Sequence, residues 1–273
     1  MSLRLNNRDH RKFMIVDGKV GFTGGINLAD EYINVKERFG HWKDTVIELE
    51  GDAVWSMTVM FLTMWDNCAN LNENFDRFQP APAPARPWTG YVQPYTDTPL
   101  DHEAVGQTVY LNMIAKAKKY IYITTPYLII DVATNTALCN AAKSGIDVKI
   151  ITPHIPDKPS VFEVTRAHYA PLIEAGVQIY EYTPGFIHAK NFIVDGRFAT
   201  VGTVNLDYRS LFLHFEDGVW LCEAPCIHDI VEDFHNTLKI SQDCRETIPR
   251  RISSKHLIAR VYRSVLRVFA PLM

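Results

Sequence analysis

The chain has 273 residues, of which 47% are hydrophobic and 22% charged, a composition that allows a sizeable buried core. Its formal net charge is −3, and proteins that hold nucleic acid by its phosphate backbone are usually basic, so no nucleic-acid partner is expected. No run of 18 apolar residues occurs, so no segment is expected to cross a bilayer by itself.

The first 78 residues predict a short β-hairpin, a third strand and a helix. The strands are expected over 11–16, 19–25 and 44–50, the turn at Asp17-Gly18 and the helix over 52–68. Only nine residues precede the first histidine. We therefore expect residues 1–78 to be the C-terminal part of a first domain whose beginning is truncated.

Residues 79–99 hold six of the fifteen prolines of the chain. Because proline fixes φ and has no N–H to donate, this stretch predicts no regular element. We interpret it as an inter-domain linker. Its "WTGY" sequence, residues 88–91, is an alternative candidate for the lining of a substrate cleft.

Helical and strand-like stretches alternate from residue 100 to residue 245, which indicates a second, layered α/β domain. Helices are predicted over 101–118, 132–143 and 160–174, and strands over 120–130, 147–152 and 177–183. The tail, 246–273, predicts a basic amphipathic helix. Such a helix would lie on an anionic bilayer or dock on its own sheet, and both interpretations stay open.

One five-residue pattern occurs twice. Histidine, lysine, aspartate, glycine and asparagine stand at offsets 0, 2, 7, 14 and 17 in two sets: His10, Lys12, Asp17, Gly24 and Asn27, and His188, Lys190, Asp195, Gly202 and Asn205. Nine of nineteen aligned positions are identical between 10–28 and 188–206. Agreement of this density indicates an internal duplication.

Strand geometry indicates what the pattern does. Residues i and i+2 of a strand point to one face, so each histidine projects together with its lysine. The aspartate has the opposite parity, so we expect Asp17 and Asp195 to brace the turns more readily than to act in catalysis. The returning strand should bring Asn27 or Asn205 back beside the histidine.

This set of groups suits phosphoryl transfer on a diester. One neutral imidazole attacks phosphorus while the other, protonated, donates to the leaving oxygen. Ammonium and amide groups stabilise the charge on the non-bridging oxygens. Since side chains supply all of this charge stabilisation, we expect no metal and no cofactor.

The pattern HxKxxxxD followed by GxxN resembles the phospholipase D superfamily. The stretches "WKDT", "ITTPYLIID" and "YEYTPGFIHAKNFIVDG" resemble its bacterial cardiolipin synthases. The resemblance implies an α/β fold, a layered sheet with flanking helices in two pseudo-symmetric halves. It assigns catalysis to His10, Lys12, Asp17, His188, Lys190 and Asp195, phosphate binding to Asn27 and Asn205, and orientation of the histidines to Glu216 and Asp44.

The same resemblance implies His10 as the nucleophile and His188 as the general acid and base, although the reverse order fits the two copies as well. The implied reaction moves a phosphatidyl group from one phosphatidylglycerol to another and releases glycerol. Phosphatidylglycerol, anionic lipids and the membrane surface are the expected partners. The full-length protein is expected at the bacterial inner membrane, and this fragment in the cytoplasm or peripheral to the membrane.

Three alternatives remain beside this interpretation. A phospholipase D-type phosphodiesterase would transfer the group to water or to another alcohol. A nuclease would transfer its phosphoryl group to water. A truncated fragment would carry both motifs without activity, with an unpaired sheet edge and exposed apolar surface that promote aggregation.

Other residues that often mark functional sites are given structural roles. Gly24 and Gly202 are expected to close turns. Eight further histidines lack the context of the motif and are treated as structural or exposed, among them His41, His154, His168 and His214. Five cysteines form no even disulfide framework and no complete zinc pattern, so they are expected to be reduced thiols.

Overall fold

The structure, a computed structural model, describes residues 7–81 and 88–245. In the first part, strands β1 (Phe13–Val16), β2 (Val20–Gly24) and β4 (Val46–Glu50) form an antiparallel sheet in the order β1-β2-β4. Helix α1 (Asp52–Ala69) and a 3₁₀ turn (Phe75–Phe78) follow. These elements confirm the predicted hairpin, third strand and helix. Strand β3 (His41–Lys43) was not predicted.

The second part is built on an eight-stranded sheet. Its strands are β5 (Tyr91–Asp97), β6 (Tyr120–Thr124), β7 (Asp147–Pro153), β8 (Gln178–Tyr182), β10 (Asn191–Val194), β11 (Phe198–Gly202), β12 (Glu216–Cys222) and β13 (Ser241–Asp243). They lie in the order β13-β8-β7-β6-β10-β11-β12-β5, with β6, β7 and β8 parallel. A further short strand, β9 (Gly185–Ile187), pairs in parallel with β3 of the first part.

Helices flank this sheet, as expected for a layered α/β fold. They are α2 (Val105–Lys116), α3 (Val132–Lys143), α4 (Pro159–Ala167), α5 (Tyr169–Glu174), α6 (Tyr208–Phe212) and α7 (Ile227–Lys239). The predicted helix over 132–143 is confirmed. The single helix predicted over 160–174 is wrong, because the chain breaks at His168 into α4 and α5. Among the described residues, no helix has the length and apolar character needed to span a membrane.

The proline-rich stretch contains a regular element, contrary to the prediction. Residues Tyr91–Asp97 form β5, which pairs antiparallel with β12 along its whole length. Pro94 is accommodated because β5 is the edge strand, where a missing backbone donor on the open side breaks no ladder. The division of the chain at 79–99 remains a prediction, and the predicted helix over 246–273 lies outside the described residues.

The two copies of the motif fold into equivalent hairpins. Strand β1 pairs Phe13 with Thr23, and β10 pairs the equivalent residues, Asn191 with Val201. Both hairpin turns place the aspartate and the glycine of the Asp-Gly pair at positive φ. The strand that follows each hairpin also pairs equivalently, with Gly24 opposite Val46 and Gly202 opposite Gly218. The fold therefore contains two pseudo-symmetric halves.

One apolar core joins the halves. It contains residues of the first part, such as Ile47, Leu49, Val54 and Met57, together with residues of β10, β11 and β12, such as Ile193, Val201 and Val219. A second core lies on the other face of the large sheet, under α2, α3 and α5. The shared core holds the two motif hairpins against each other, and this packing positions the site.

Candidate active site

Short backbone contacts between the halves set the positions of both motif histidines. The His10 N–H donates to the carbonyl of Phe215 at 2.9 Å, and the His188 N–H donates to the carbonyl of Lys43 at 2.7 Å. These two contacts are equivalent under the pseudo-symmetry. Each histidine is therefore held beside the residue that precedes the acidic residue of the other half.

His10 is paired with Glu216 of the second half. Its Nδ1 lies 3.0 Å from Oε1 and 2.9 Å from Oε2 of a carboxylate whose side chain is fully buried. Burial by itself would raise the pKa of Glu216, but the contacts with His10, His214 and Thr203 outweigh it and lower the pKa to about 2. Since Nδ1 faces the carboxylate, Nε2 of His10 is left for chemistry.

His188 is paired with Asp44 of the first half, at 2.8 Å between Nδ1 and Oδ2. Burial, with the nearby charge of Lys190, lowers the pKa of His188 to about 4 in spite of this carboxylate. Burial would raise the pKa of Asp44, but the bond from His188 leaves it lowered. The pairing is therefore crossed, because each half supplies the acid that orients the histidine of the other half.

The two lysines lie beside their histidines, as the spacing predicts. Lys12 Nζ donates to the carbonyl of His10 at 2.6 Å, and Lys190 Nζ donates to the carbonyl of His188. Burial lowers the pKa of both, and that of Lys190 falls to about 7. Each lysine also acts across the halves, because Lys12 contributes to the lowered pKa of His188 and Lys190 to that of His10. Both motifs therefore contribute charge to one site.

The two asparagines make equivalent local contacts. Asn27 Nδ2 donates to the Tyr32 hydroxyl, and Asn205 Nδ2 donates to Ser210 Oγ at 3.0 Å. Asn205 Oδ1 is buried and has no hydrogen-bond partner within 7–81 and 88–245. The Tyr32 ring lies 5.3 Å from the ring of His188, so the first asparagine reaches the surroundings of that histidine through Tyr32.

The motif aspartates do not contact the histidines. Asp195 accepts hydrogen bonds from the backbone N–H groups of Lys118, Lys119 and Tyr120, each at 2.8 Å, and so braces the connection between α2 and β6. Asp17 is exposed in the equivalent turn. Both stand at the far ends of their hairpins, as the strand parity indicates. Their assignment to catalysis by resemblance has no contact that supports it.

Gly24 and Gly202 do not close turns as expected. A Cβ on Gly202 would lie 2.4 Å from the carbonyl of Asp217 and 2.5 Å from Gly218 Cα, and one on Gly24 would lie 2.1 Å from the carbonyl of Thr45. Both are strand residues at a close approach of the chain that carries the orienting acid, which is Glu216 at the start of β12 or Asp44 just ahead of β4. The glycines therefore set the distance between each motif and its neighbouring strand.

His214, which was expected to be structural or exposed, lies in the site. Its ring centroid lies 5.6 Å from that of His10, and its Nδ1 lies 3.6 Å from Glu216 Oε1. Under the pseudo-symmetry its counterpart is Trp42, whose ring lies 5.6 Å from that of His188. Val46 and Gly218 are equivalent because they pair with the motif glycines Gly24 and Gly202. Trp42 and His214 each stand four residues before these partners, which makes them equivalent too.

Asp217 is a second residue that the sequence did not indicate. Its carboxylate is buried and accepts hydrogen bonds from the Thr23 hydroxyl and, at 3.2 Å, from the Lys12 N–H. Burial raises its pKa to about 6. Asp217 therefore anchors the segment that carries Lys12, directly ahead of β1.

The donor atoms of His10, His214 and Glu216 lie within 4.8 Å of one another, which is close enough for a single metal ion. Lys12 and Lys190 both act on His10, and two ammonium groups at this position oppose a divalent cation. The bonds of Glu216 to His10 and to Thr203 already use its carboxylate. The arrangement suits proton transfer at an imidazole better than metal binding.

Comparison with known proteins agrees with this geometry. Residues 110–238 match the family model of the cardiolipin synthase, phospholipase D-like domain. A cardiolipin synthase of Geobacillus kaustophilus is 37% identical over the whole chain, and cardiolipin synthase 2 of Bacillus anthracis is 38% identical over 99% of it. An uncharacterised protein of Streptococcus mutans is 49% identical over the whole chain.

The chain spans 58% of the Streptococcus protein and 52–54% of the two synthases, about half the length of these relatives. Among solved structures, phosphatidylserine synthase of Haemophilus influenzae superposes with a TM-score of 0.70 over 97% of this chain and 68% of its own. At 15% identity, this likeness shows the fold. Residues 110–238 therefore form a phospholipase D-like domain of the cardiolipin synthase type.

Proposed function

We propose that the protein transfers a phosphatidyl group between alcohols through a phosphohistidine intermediate, with phosphatidylglycerol as donor and as acceptor, so that the products are cardiolipin and glycerol. The observation that supports this most is the crossed pairing of His10 with Glu216 and of His188 with Asp44. Two oriented imidazoles in one site are what a double displacement at phosphorus needs.

In the first step, Nε2 of one histidine attacks phosphorus and a phosphorus–nitrogen bond forms. The bond from phosphorus to the glycerol oxygen breaks, and the other histidine, as imidazolium, gives its proton to that oxygen. Glycerol leaves. The carboxylate at Nδ1 of each ring fixes its orientation and stabilises its positive charge as it forms.

In the second step, the histidine that has lost its proton takes one from the hydroxyl of a second phosphatidylglycerol. That oxygen attacks phosphorus, the phosphorus–nitrogen bond breaks, and both histidines return to their starting states. Lys12 and Lys190 stabilise the negative charge on the non-bridging oxygens in both steps, and Asn27 and Asn205 add amide donors. Because donor and acceptor are lipids, we place the reaction at a membrane surface.

The relatives support this choice of substrate, because two of those compared above are named cardiolipin synthases and align with this chain over 99–100% of its length. The structural neighbour is named as a phosphatidylserine synthase. Enzymes with either of these names act on a phospholipid with a phosphodiester bond. A superfamily member that transfers the phosphatidyl group to water would use the same two histidines. The choice of phosphatidylglycerol as the acceptor is therefore the more specific part of the proposal.

The test supplies the protein with phosphatidylglycerol in vesicles and follows cardiolipin and glycerol. We expect both products from the wild type and neither from His188→Ala. Equal yields from the two proteins would refute the proposal. Release of phosphatidic acid alone, with water and glycerol in competition, would assign a phospholipase D-type hydrolase, and no turnover of any diester would indicate an inactive fragment.

A further inference from the structure

Two clusters, each of a tyrosine, an aspartate and a lysine, lie at opposite ends of the parallel strands β6 and β7. At the amino end of β7, the Tyr122 hydroxyl donates to Asp147 Oδ2 at 3.0 Å. Lys149 Nζ donates to the same oxygen and lies 5.0 Å from the centroid of the Tyr122 ring. The other oxygen, Asp147 Oδ1, accepts from Gln178 Nε2 at 2.7 Å. Both oxygens of this carboxylate are therefore bonded within the protein.

The second cluster follows the carboxyl ends of the same strands and repeats these contacts. The Tyr127 hydroxyl donates to Asp157 Oδ2 at 2.6 Å. Lys158 Nζ lies 3.3 Å from that oxygen and 5.1 Å from the centroid of the Tyr127 ring. Asp157 Oδ1 has no hydrogen-bond partner in the part of the chain that the structure describes, although the side chain is 16% exposed. The place that Gln178 fills in the first cluster is therefore open in the second.

Tyr127 lies in the wall of the active site. Its ring centroid is 6.5 Å from that of Phe186, which is 5.9 Å from that of His188. The next residue, Leu128, forms a parallel bridge with Leu206, which directly follows the second motif asparagine. The cluster is therefore held against the two segments that carry the side chains of the second motif.

Asp157 lies beside the same site. The N–H of Ile155 donates to the carbonyl of Gly185 at 3.4 Å, so the segment of Asp157 runs next to β9, which leads into the second motif. Burial raises the pKa of Tyr32, and the negative charge of Asp157 is among those that raise it further. The ring of Tyr32 is the one that contacts His188. The open carboxylate oxygen is therefore within electrostatic reach of the reacting groups.

The chemistry of this cluster selects the kind of ligand that fits it. A carboxylate oxygen accepts hydrogen bonds and cannot donate, so its partner must have a hydroxyl or an ammonium hydrogen. The carboxylate repels a second anion, and the ammonium of Lys158 beside it repels a cation. A neutral polyol meets both conditions. Glycerol has two hydroxyls besides the one that is joined to phosphorus in phosphatidylglycerol.

We propose that Asp157 Oδ1 accepts a hydrogen bond from a glycerol hydroxyl of the acceptor, so that the cluster of Tyr127, Asp157 and Lys158 selects acceptors with a glycerol head group. This inference rests on the proposed phosphatidyl transfer and deepens it, because it assigns the acceptor specificity to named residues. Tyr127 fixes the carboxylate through Oδ2, and the substrate hydroxyl takes the place that an amide N–H takes at Asp147.

Competition between two alcohols tests the subsite. The donor is phosphatidyl-p-nitrophenol in vesicles, because nitrophenol is a good leaving group and the products then report the choice of acceptor. With equal concentrations of glycerol and 1-propanol, we expect the ratio of phosphatidylglycerol to phosphatidylpropanol to fall about 10-fold in Asp157→Ala, the effect of one lost hydrogen bond to a charged group. Asp157→Asn keeps the shape and loses the charge, and its ratio should fall about threefold. The ratio does not depend on how much active protein each variant yields.

Asp147→Ala is the matched control, because it removes the same contacts with a tyrosine and a lysine at the far end of the strands. Its product ratio should equal that of the wild type. An unchanged ratio in both Asp157 variants, or an equal fall in Asp147→Ala, overturns the subsite while the transfer stands. A preference of the wild type for ethanolamine over glycerol that Asp157→Ala removes would assign the cluster to an ammonium group and also overturn it. A wild type that releases no nitrophenol refutes the proposed function itself.

Discussion

At the scale of single residues, two neighbouring acids on β12 have opposite environments. Glu216 faces His10 and keeps its charge, with a pKa of about 2, whereas the pKa of Asp217 is raised to about 6 by burial. Successive strand residues point to opposite faces, so one acid can serve the histidine while the next anchors the segment of Lys12 ahead of β1. The two acids should therefore respond differently to neutralisation.

Neutralising Glu216 should mainly affect catalysis. In Glu216→Gln the His10 ring loses the carboxylate that fixes its tautomer, and we expect turnover to fall about 100-fold or more. Nitrophenol release from phosphatidyl-p-nitrophenol in the steady state measures it, and circular dichroism checks the fold. Glu232→Gln, an exposed change on α7, is the control and should keep wild-type turnover. Wild-type turnover in Glu216→Gln would show that the crossed pair is not needed.

Neutralising Asp217 should change how stability depends on pH. Because its folded pKa of about 6 is above the unfolded value of 3.8, the wild type loses stability as pH rises from about 4 to about 6. Asp217→Asn has no such loss. The free energy of unfolding of the variant minus that of the wild type should therefore rise by up to roughly 3 kcal/mol between pH 4 and pH 7. Urea unfolding at both pH values measures it. The exposed control Asp229→Asn should differ from the wild type by the same free energy of unfolding at both pH values. The same result for Asp217→Asn would show that burial does not raise the pKa of Asp217.

The spacing predicts the residues of each motif and the resemblance implies Glu216 and Asp44 as the orienting acids, but neither indicates which acid serves which histidine. Spacing predicts that His10 and Lys12 lie together, and the structure brings them into contact in the segment that precedes β1. The partner of His10 is 206 residues away, on a strand of the other half, and spacing within one half has no information on that contact. His214 was missed because its counterpart is Trp42, so comparison of the two copies shows no shared chemistry there.

At the scale of elements, predictions held where periodicity was strong and failed where one residue type dominated. Helix α3 was placed at its observed bounds, Val132–Lys143, by composition and period. Strand β5 was missed because prolines suggested a linker, yet an edge strand tolerates Pro94. Strands β3 and β9 have three residues each, and they exist because the two halves meet, which no local pattern reveals.

The motif glycines offer a test of how closely β11 and β12 must approach. Gly202→Ala places a Cβ 2.4 Å from a backbone carbonyl, so the strands must separate. We expect a loss of roughly 1–3 kcal/mol in the free energy of unfolding, the range for overpacking, together with reduced turnover because Glu216 moves with β12. Gly24→Ala should lower stability and turnover in the same way, because it would displace the chain that carries Asp44. Urea unfolding and nitrophenol release measure the two effects, and a Gly202→Ala protein with wild-type stability would contradict the close approach.

At the scale of the whole molecule, the two halves differ in how their equivalent apolar residues are covered. Met14, Val16, Leu28 and Ile33 are 45–106% exposed, whereas their counterparts Phe192, Val194, Leu206 and Leu211 are at most 2% exposed. In the second half, β6 pairs with β10 and α2 packs over it, with Tyr110 stacked on Phe192 at 4.9 Å. Within 7–81 and 88–245, β1 pairs with β2 alone, so its outer edge and apolar face are open.

An open strand edge beside exposed apolar side chains is a template for association. We expect the protein to self-associate at micromolar concentrations and the double variant Met14→Ser, Val16→Thr to do so less, with its fold retained, because both side chains are 45% or more exposed. Sedimentation velocity across a concentration series measures this. Phe192→Ser, at the position equivalent to Met14, should instead lower the free energy of unfolding by about 3–5 kcal/mol, because it removes a buried ring. A wild type that sediments as a monomer and unfolds cooperatively, or a double variant that associates as strongly as the wild type, would show that this face does not drive association.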